Sequence, residues 1–534
     1  MTTTTSPDTI SQPTGPVHAL IHFVGWCATL GLIAVCYANF FTGTYFAQDD
    51  FIWLCFSKFH PTPWDVLWTN SLCGQFYRPL GQLWWVLVYR LGGDNVVVYQ
   101  VAFLVVHLIN AILVGRLVRR LVSPAAELLA FPFFLMNPLF VARISIYYCF
   151  IFDTLGLLFF LGSVLLLLNG LDHGRRWACL ASLVLGLAAF FCKEAYFTLP
   201  GVLVLTVGLN QDRDWEWHRL KSAGIWLTMH ALVWISALSW RYSVIGSFGG
   251  YGLARTDDAS NIANHLIDRL VTLISLSGWS ISPHLARWNR EDLWPVLASA
   301  VVCLALSVWV WRWNIRPRIW WVWTWVLMTW SPSLVMTTFA PVSFYTPMVA
   351  TTLLLSTIFT QSVRSALIGP VFVAYFAFWG FGYYRERGQI VQDLRHQESK
   401  LNLTFGAGRE LQPGDRVMLL NGNLDLMPDP IMKYHSAVEM PVADVLFVNT
   451  QSTVGWVICN DDGPGQIAPM RVSLDYQSGE MPIGRLKAVP LEFRSHWMEI
   501  VRQGKPFRFF KWRDDDWNEI FPENSSRTNG LDDQ

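Results

Sequence analysis

The chain has 534 residues, of which 53% are hydrophobic and only 15% charged, with 39 Lys+Arg balanced by 39 Asp+Glu. Soluble domains carry about 25% charged residues, so this composition excludes disorder, a coiled coil and an ordinary cytosolic enzyme. The formal net charge of +0 and the lack of any strong basic block argue against nucleic acid as the main partner.

Residues 1–382 hold 22 Lys+Arg and 17 Asp+Glu, and residues 383–534 hold 17 and 22. The chain therefore reads as an apolar body followed by a polar domain. Residues 1–17 are rich in Thr, Ser and Pro and carry no Lys or Arg. That is a poor start for a cleaved signal, so the first apolar run is expected to be a retained span behind a short tail. Spans need about 20 apolar residues. Candidates lie near 18–42, 96–115, 124–142, 147–168, 177–192, 195–209, 222–241, 295–312, 319–340, 344–361 and 364–382. The predicted fold class is an α-helical polytopic membrane protein with about 11 transmembrane helices. The short loops 116–123, 169–176, 210–221, 312–318 and 361–364 hold twelve Lys+Arg. The positive-inside rule then puts these loops and the 1–17 tail in the cytoplasm. The loops 43–95 and 242–294 and the C-terminal domain fall outside. The expected location is a cell membrane, the inner one of a bacterium.

In the first outer loop, Asp49 and Asp50 stand side by side among aromatic residues at the mouth of the first span. Mutual repulsion and desolvation raise the proton affinity of at least one, which suits a base that takes a proton from a hydroxyl. A divalent cation such as Mg or Mn, or a solvated pair at the interface, are the other readings. No cofactor is demanded by any motif. Tyr77-Arg78-Pro79-Leu80 follows, with Pro79 fit to start a helix. Arg78 at that start suits a phosphate or a plain snorkelling role. The 80–89 segment is expected along the membrane surface.

Further along, His107 and Asn110 share one helix face. Arg143 ends one span and Asp153 opens the next, so these two are expected to pair. Lys193-Glu194 divides two apolar runs, and Lys193 there can meet a lipid-linked phosphate. Ionisable groups within lipid are functional by default. Glu127 reads as a helix-start residue. In the second outer loop, the glycines of 246–252 lack nucleotide-fingerprint spacing. A helix over 260–279 would place Ile262, Leu266, Leu270 and Ile274 on one face, with His265 on the polar side. The cysteines form no metal pattern, and Cys55 with Cys73 permits a disulfide.

Residues 383–523 are expected to form an extracytoplasmic soluble α/β or mainly β domain. Its predicted strands are Arg416–Leu420, Ala443–Asn449, Val454–Cys459, Arg471–Tyr476 and Phe507–Trp512. Asp514-Asp515-Asp516 reads as solvated surface charge, and 524–534 as a disordered tail. Acceptor sequons stand at Asn402 and Asn524.

The order Asp49-Asp50, Tyr77-Arg78-Pro79-Leu80, His107-x-x-Asn110, Asn137-Pro138, Asp153, Lys193-Glu194 resembles GT-C-type multi-spanning glycosyltransferases over residues 18–382. The nearest flavour is the protein O-mannosyltransferase-like and tetratricopeptide-containing transmembrane families. The resemblance implies a polyprenyl-phosphate sugar donor and a hydroxyl-bearing protein, glycan or lipid acceptor. It implies Asp49 or Asp50 as catalytic base and Arg78 and Lys193 on the donor phosphate. Tyr77, His107, Asn110, Arg143, Asp153 and Glu194 support them. Phe140 and Ala142 stand where the family often has His and Glu, and no tetratricopeptide array is present. A lipid-glycan transporter and a non-catalytic envelope assembly protein are the alternative classes. A transporter would call for inverted internal symmetry, and no such pair is evident.

Overall fold

The computed structural model describes a few helical positions between 23 and 57, then residues 62–68, 77–93, 95–142, 144–209, 217–245, 259–281, 293–312, 316–334 and 341–362. It also describes three positions between 371 and 375 and six strands between 416 and 520. Asp49, Arg143, Cys55, Cys73, the 246–252 glycines, Asp514, Asp515, the tails and both sequons lie outside the described residues. So does the side chain of His265.

Helix α1 (Pro79–Gly92) begins at a proline that needs no backbone donor there. Asn95 starts α2 (Val96–Leu121) by accepting from Val97 N at 3.1 Å, an N-cap bond. Ser123 does the same for α3 (Pro124–Leu135) through Ala126 N at 3.2 Å. The chain restarts at Pro138 in α4 (Pro138–Ala142), where Asn137 Oδ1 accepts from Leu139 N at 3.0 Å. Helices α5 (Ile151–His173) and α6 (Arg176–Cys192) form a tight hairpin. It turns at Gly174, whose φ of +64° needs glycine. Ser163 and Ser182 exchange hydroxyl-to-carbonyl bonds of 2.8 and 2.7 Å across it. Small residues let apolar helices approach this closely.

The body continues as α7 (Leu199–Leu209), α8 (Trp217–Ile245), α9 (Ala259–Ile281), α10 (Leu293–Arg312), α11 (Arg316–Leu334) and α12 (Met348–Ser362). Among the described residues four helices are long and apolar enough to cross a membrane: Val96–Leu121, Pro124–Val141, Tyr148–His173 and Lys221–Val244. Shorter apolar helices follow at Arg176–Cys192, Glu194–Gly208, Arg269–Gly278 and Met348–Thr360.

Helix α9 departs from its predicted face. Leu266 and Leu270 are exposed, while Arg269, Leu273, Leu276 and Ser277 are buried, because α9 packs on α10 and α12 through the 269–273–276 side. Of the expected stripe, Leu266 and Leu270 thus lie on the outward side and Ile274 is half-buried. Glu127 in the first turn of α3 does lie at a helix start, and it pairs with Arg119 at 3.1 Å and Arg116 at 3.4 Å.

The C-terminal strands are β1 (Arg416–Asn421), β2 (Asp444–Asn449), β3 (Gly455–Ile458), β4 (Ala468–Met470), β5 (Phe507–Arg513) and β6 (Asp516–Ile520). They form one sheet of order β4-β3-β2-β1-β5-β6. β1 is parallel to β2 and β5, and the outer pairings are antiparallel. The fourth strand stands at 468–470, ahead of the predicted 471–476. β6 is an element the sequence pattern did not suggest. Register Arg513↔Asp516 pairs it antiparallel with β5, and Asp516, the last of the acidic triplet, is its first residue.

Candidate active site

Residues 149–154, at the start of α5, gather most of the expected site residues. Cys149 N donates to Asp50 Oδ1 at 2.5 Å. The Phe152 ring lies 4.6 Å from Trp53, one turn beyond Asp50, and carries Arg78 Cζ 5.6 Å above it. Asp153 accepts two bonds from Lys193 Nζ, at 2.8 and 2.7 Å. Thr154 O accepts from Asn110 Nδ2 at 2.7 Å. Asp50, Arg78 and Asp153 are all buried, at 0%, 5% and 6% exposure.

Local backbone geometry explains how neighbouring residues serve two partners. Lys193 is extended (φ −158°, ψ 137°) between α6 and the 3-10 turn Glu194–Thr198. Lys193 reaches Asp153, while Glu194 takes a two-pronged bond from Arg78, Nε at 2.9 Å and Nη2 at 2.6 Å. Such a fork is the strong form of a charge-assisted bond. The pairing expected between Asp153 and Arg143 is thus corrected: Asp153 is bound by Lys193, and Arg143 lies outside the described residues. Arg78 and Lys193, expected to meet phosphate, are each held by a carboxylate.

Arg241, near the end of α8, is a site residue the sequence reading missed. Its Nη1 donates to Tyr77 O at 3.2 Å and stands 3.7 Å from Glu194 Oε2. It lies 163 residues beyond Arg78, near the end of a long apolar helix, so only the fold joins them. Tyr77 OH donates to Leu67 O at 3.0 Å and accepts from Trp240 Nε1 at 3.4 Å. Three cations (Arg78, Lys193, Arg241) thus meet two carboxylates (Asp153, Glu194), with a third, Asp50, held against the same helix start.

A cavity opens beside Asp153 and Lys193. Tyr196, Thr198, Thr329, Ser343 and Thr346 supply hydroxyls to its lining. Tyr196 OH donates to Asp153 O, and Thr346 Oγ1 donates to Tyr196 OH at 3.2 Å.

His107 and Asn110 form a second polar group, completed by Tyr345. His107 Nδ1 lies 2.7 Å from Tyr345 OH and Nε2 3.1 Å from Leu135 O, while Asn110 Nδ2 donates to Tyr345 OH at 3.1 Å. The Phe140 ring stacks on His107 at 3.4 Å, so the position that often carries His in the resembled family is here an apolar lid on the imidazole. Among the described residues no group of three or more His, Cys, Asp or Glu side chains gathers in metal-binding fashion. Cys27, Cys149, Cys179, Cys192 and Cys303 are free thiols.

No protein-family model and no curated protein matches the chain. Among solved structures, the chain is similar to ArnT from Cupriavidus metallidurans in the apo state, with TM-score 0.46, 11% identity, and coverage of 80% of this chain and 93% of that one. It is also similar to the same protein bound to undecaprenyl phosphate, with TM-score 0.44, 13% identity and the same coverage.

Proposed function

We propose that the chain is a membrane glycosyltransferase of GT-C type. It moves a sugar from a polyprenyl-phosphate donor to a hydroxyl on a protein, glycan or lipid acceptor at the extracytoplasmic face of the membrane. The observation that carries this reading is the buried cluster of Arg78, Lys193 and Arg241 with Asp153 and Glu194, beside a hydroxyl-lined cavity and one helix start away from buried Asp50. An apolar interior holds such charges only at a cost, and an anchor would have no use for them.

In the proposed reaction, a carboxylate of the Asp49–Asp50 pair takes the acceptor hydroxyl proton. The acceptor oxygen attacks the anomeric carbon, the bond from that carbon to the phosphate oxygen breaks, and its electron pair leaves on the phosphate. One direct displacement inverts the configuration. The cations offset the charge that grows on the leaving phosphate, and burial fixes donor and base in line.

The test is transfer of radiolabel from polyprenyl-phosphate sugars to a membrane extract by the purified chain, compared with Asp49→Asn and Asp50→Asn. General-base loss lowers rate by about 10²–10⁴-fold. Such a loss in one variant, with folding and lipid binding retained, identifies the base. Equal transfer by both variants overturns the assignment. Movement of the lipid-linked sugar across a vesicle membrane without transfer supports the transporter class instead.

A further inference from the structure

Arg241 is 1% exposed. One of its terminal nitrogens, Nη1, is committed to Tyr77 O and faces Glu194. The other edge of the guanidinium, Nε and Nη2, is enclosed without a hydrogen-bond partner among the described residues. This is the same edge by which Arg78 grips both oxygens of Glu194. The two arginines therefore share one carboxylate, and Arg78 has used its fork on it while Arg241 has not.

An unmade bond on a buried charged donor costs more than on a neutral one, and a planar fork matches two oxygens of a carboxylate or phosphate. No further carboxylate is paired with Arg241 among the described residues. Lys193 is bound to Asp153 and Arg78 to Glu194, so Arg241 carries the open fork of the cluster. A lipid-linked phosphodiester is an anion with two free oxygens, which matches the open fork of a buried guanidinium.

We propose that the Nε/Nη2 edge of Arg241 is the phosphate-binding edge of the site, taking a single phosphate group of a lipid-linked donor, with Glu194 holding Arg241 and Arg78 side by side. The inference rests on the transferase reading and goes further in naming the receiving group. Phosphate engages when the side chains over that edge part, and Arg78 need not release Glu194.

The experiment measures binding of undecaprenyl phosphate and of undecaprenol to the full chain in nanodiscs, for wild type, Arg241→Gln and Arg241→Lys. Wild type is expected to prefer the phosphate. Arg241→Gln is expected to lose that preference by about tenfold or more, the scale of a charged hydrogen bond. Arg241→Lys, which keeps the charge and loses the fork, falls between. A structural defect would lower both ligands equally, and the ratio of the two affinities would stay at the wild-type value, which overturns the inference. No phosphate preference in wild type would sink the transferase reading together with it. Should neither variant fold, the wild-type complex with undecaprenyl phosphate decides. Phosphate density against Nε and Nη2 supports the assignment, and density elsewhere refutes it.

Discussion

Glu194 is the carboxylate that Arg78 grips and Arg241 faces. Glu194→Gln therefore removes the carboxylate that two buried cations share, whereas an exposed pair of the same kind would matter little. Removing one partner of a buried pair costs about 3–5 kcal/mol. Thermal unfolding in nanodiscs should show that loss for Glu194→Gln, while Glu127→Gln, on the exposed Arg116 and Arg119, should shift stability by under about 1 kcal/mol. Much of this site was legible in the sequence, because a charged side chain inside an apolar run is conspicuous. Asp153, Lys193 and Glu194 stand out that way, whereas Asp50 and Arg78 stand out at a span mouth and a helix start in the first outer loop. What stayed hidden was their pairing. Asp153 and Arg143 are close in sequence and were matched for that reason, yet an extended residue at 193 delivers Lys193 to Asp153. Arg241 was overlooked since it stands at a helix end, where snorkelling arginines are common. Phe152 was overlooked since aromatic residues are everywhere in this chain.

At the scale of elements, α1 reaches α5 through a glycine. A Cβ at Gly81 would lie 2.0 Å from Phe152 Cδ1, and Phe152 is the ring beneath Arg78. Gly81→Ala should cost about 1–3 kcal/mol, as overpacking does. It should also displace Phe152 and with it Arg78. Combining it with Phe152→Leu should recover part of the stability, measured as a double-mutant cycle. Helix starts and stops were well marked in the sequence, through Pro79, Pro124, Pro138 and Asn137. The buried side of α9 was not, since both of its sides carry leucine and isoleucine. The second arm of the β5–β6 hairpin was masked by its acidic start, where charge suggested a loop.

For the whole molecule, the hairpin of α5 and α6 sets a ruler. Asp153 and Asp172 are 19 residues apart in one helix, about 28 Å at 1.5 Å per residue, which is close to a bilayer core of about 30 Å. Arg120 pairs with Asp172 at one end, and Lys193 pairs with Asp153 at the other. α2 runs the same way, its Asn110 at Thr154 and its Arg120 at Leu168 O. The exposed residues Asn95 and His173 thus mark opposite ends. In a cysteine-free background, Asn95→Cys should react with an impermeant maleimide in intact cells and His173→Cys only after permeabilisation. Labelling of both from one side would refute the arrangement. The bond between His107 and Tyr345 spans 238 residues, and this has a meaning for how the protein is made. At about 5–20 residues per second, α2 waits roughly 10–50 s for the hydroxyl that completes its polar face. During synthesis, the nascent chain must be sheltered from lipid until the C-terminal part of the helical body has left the ribosome.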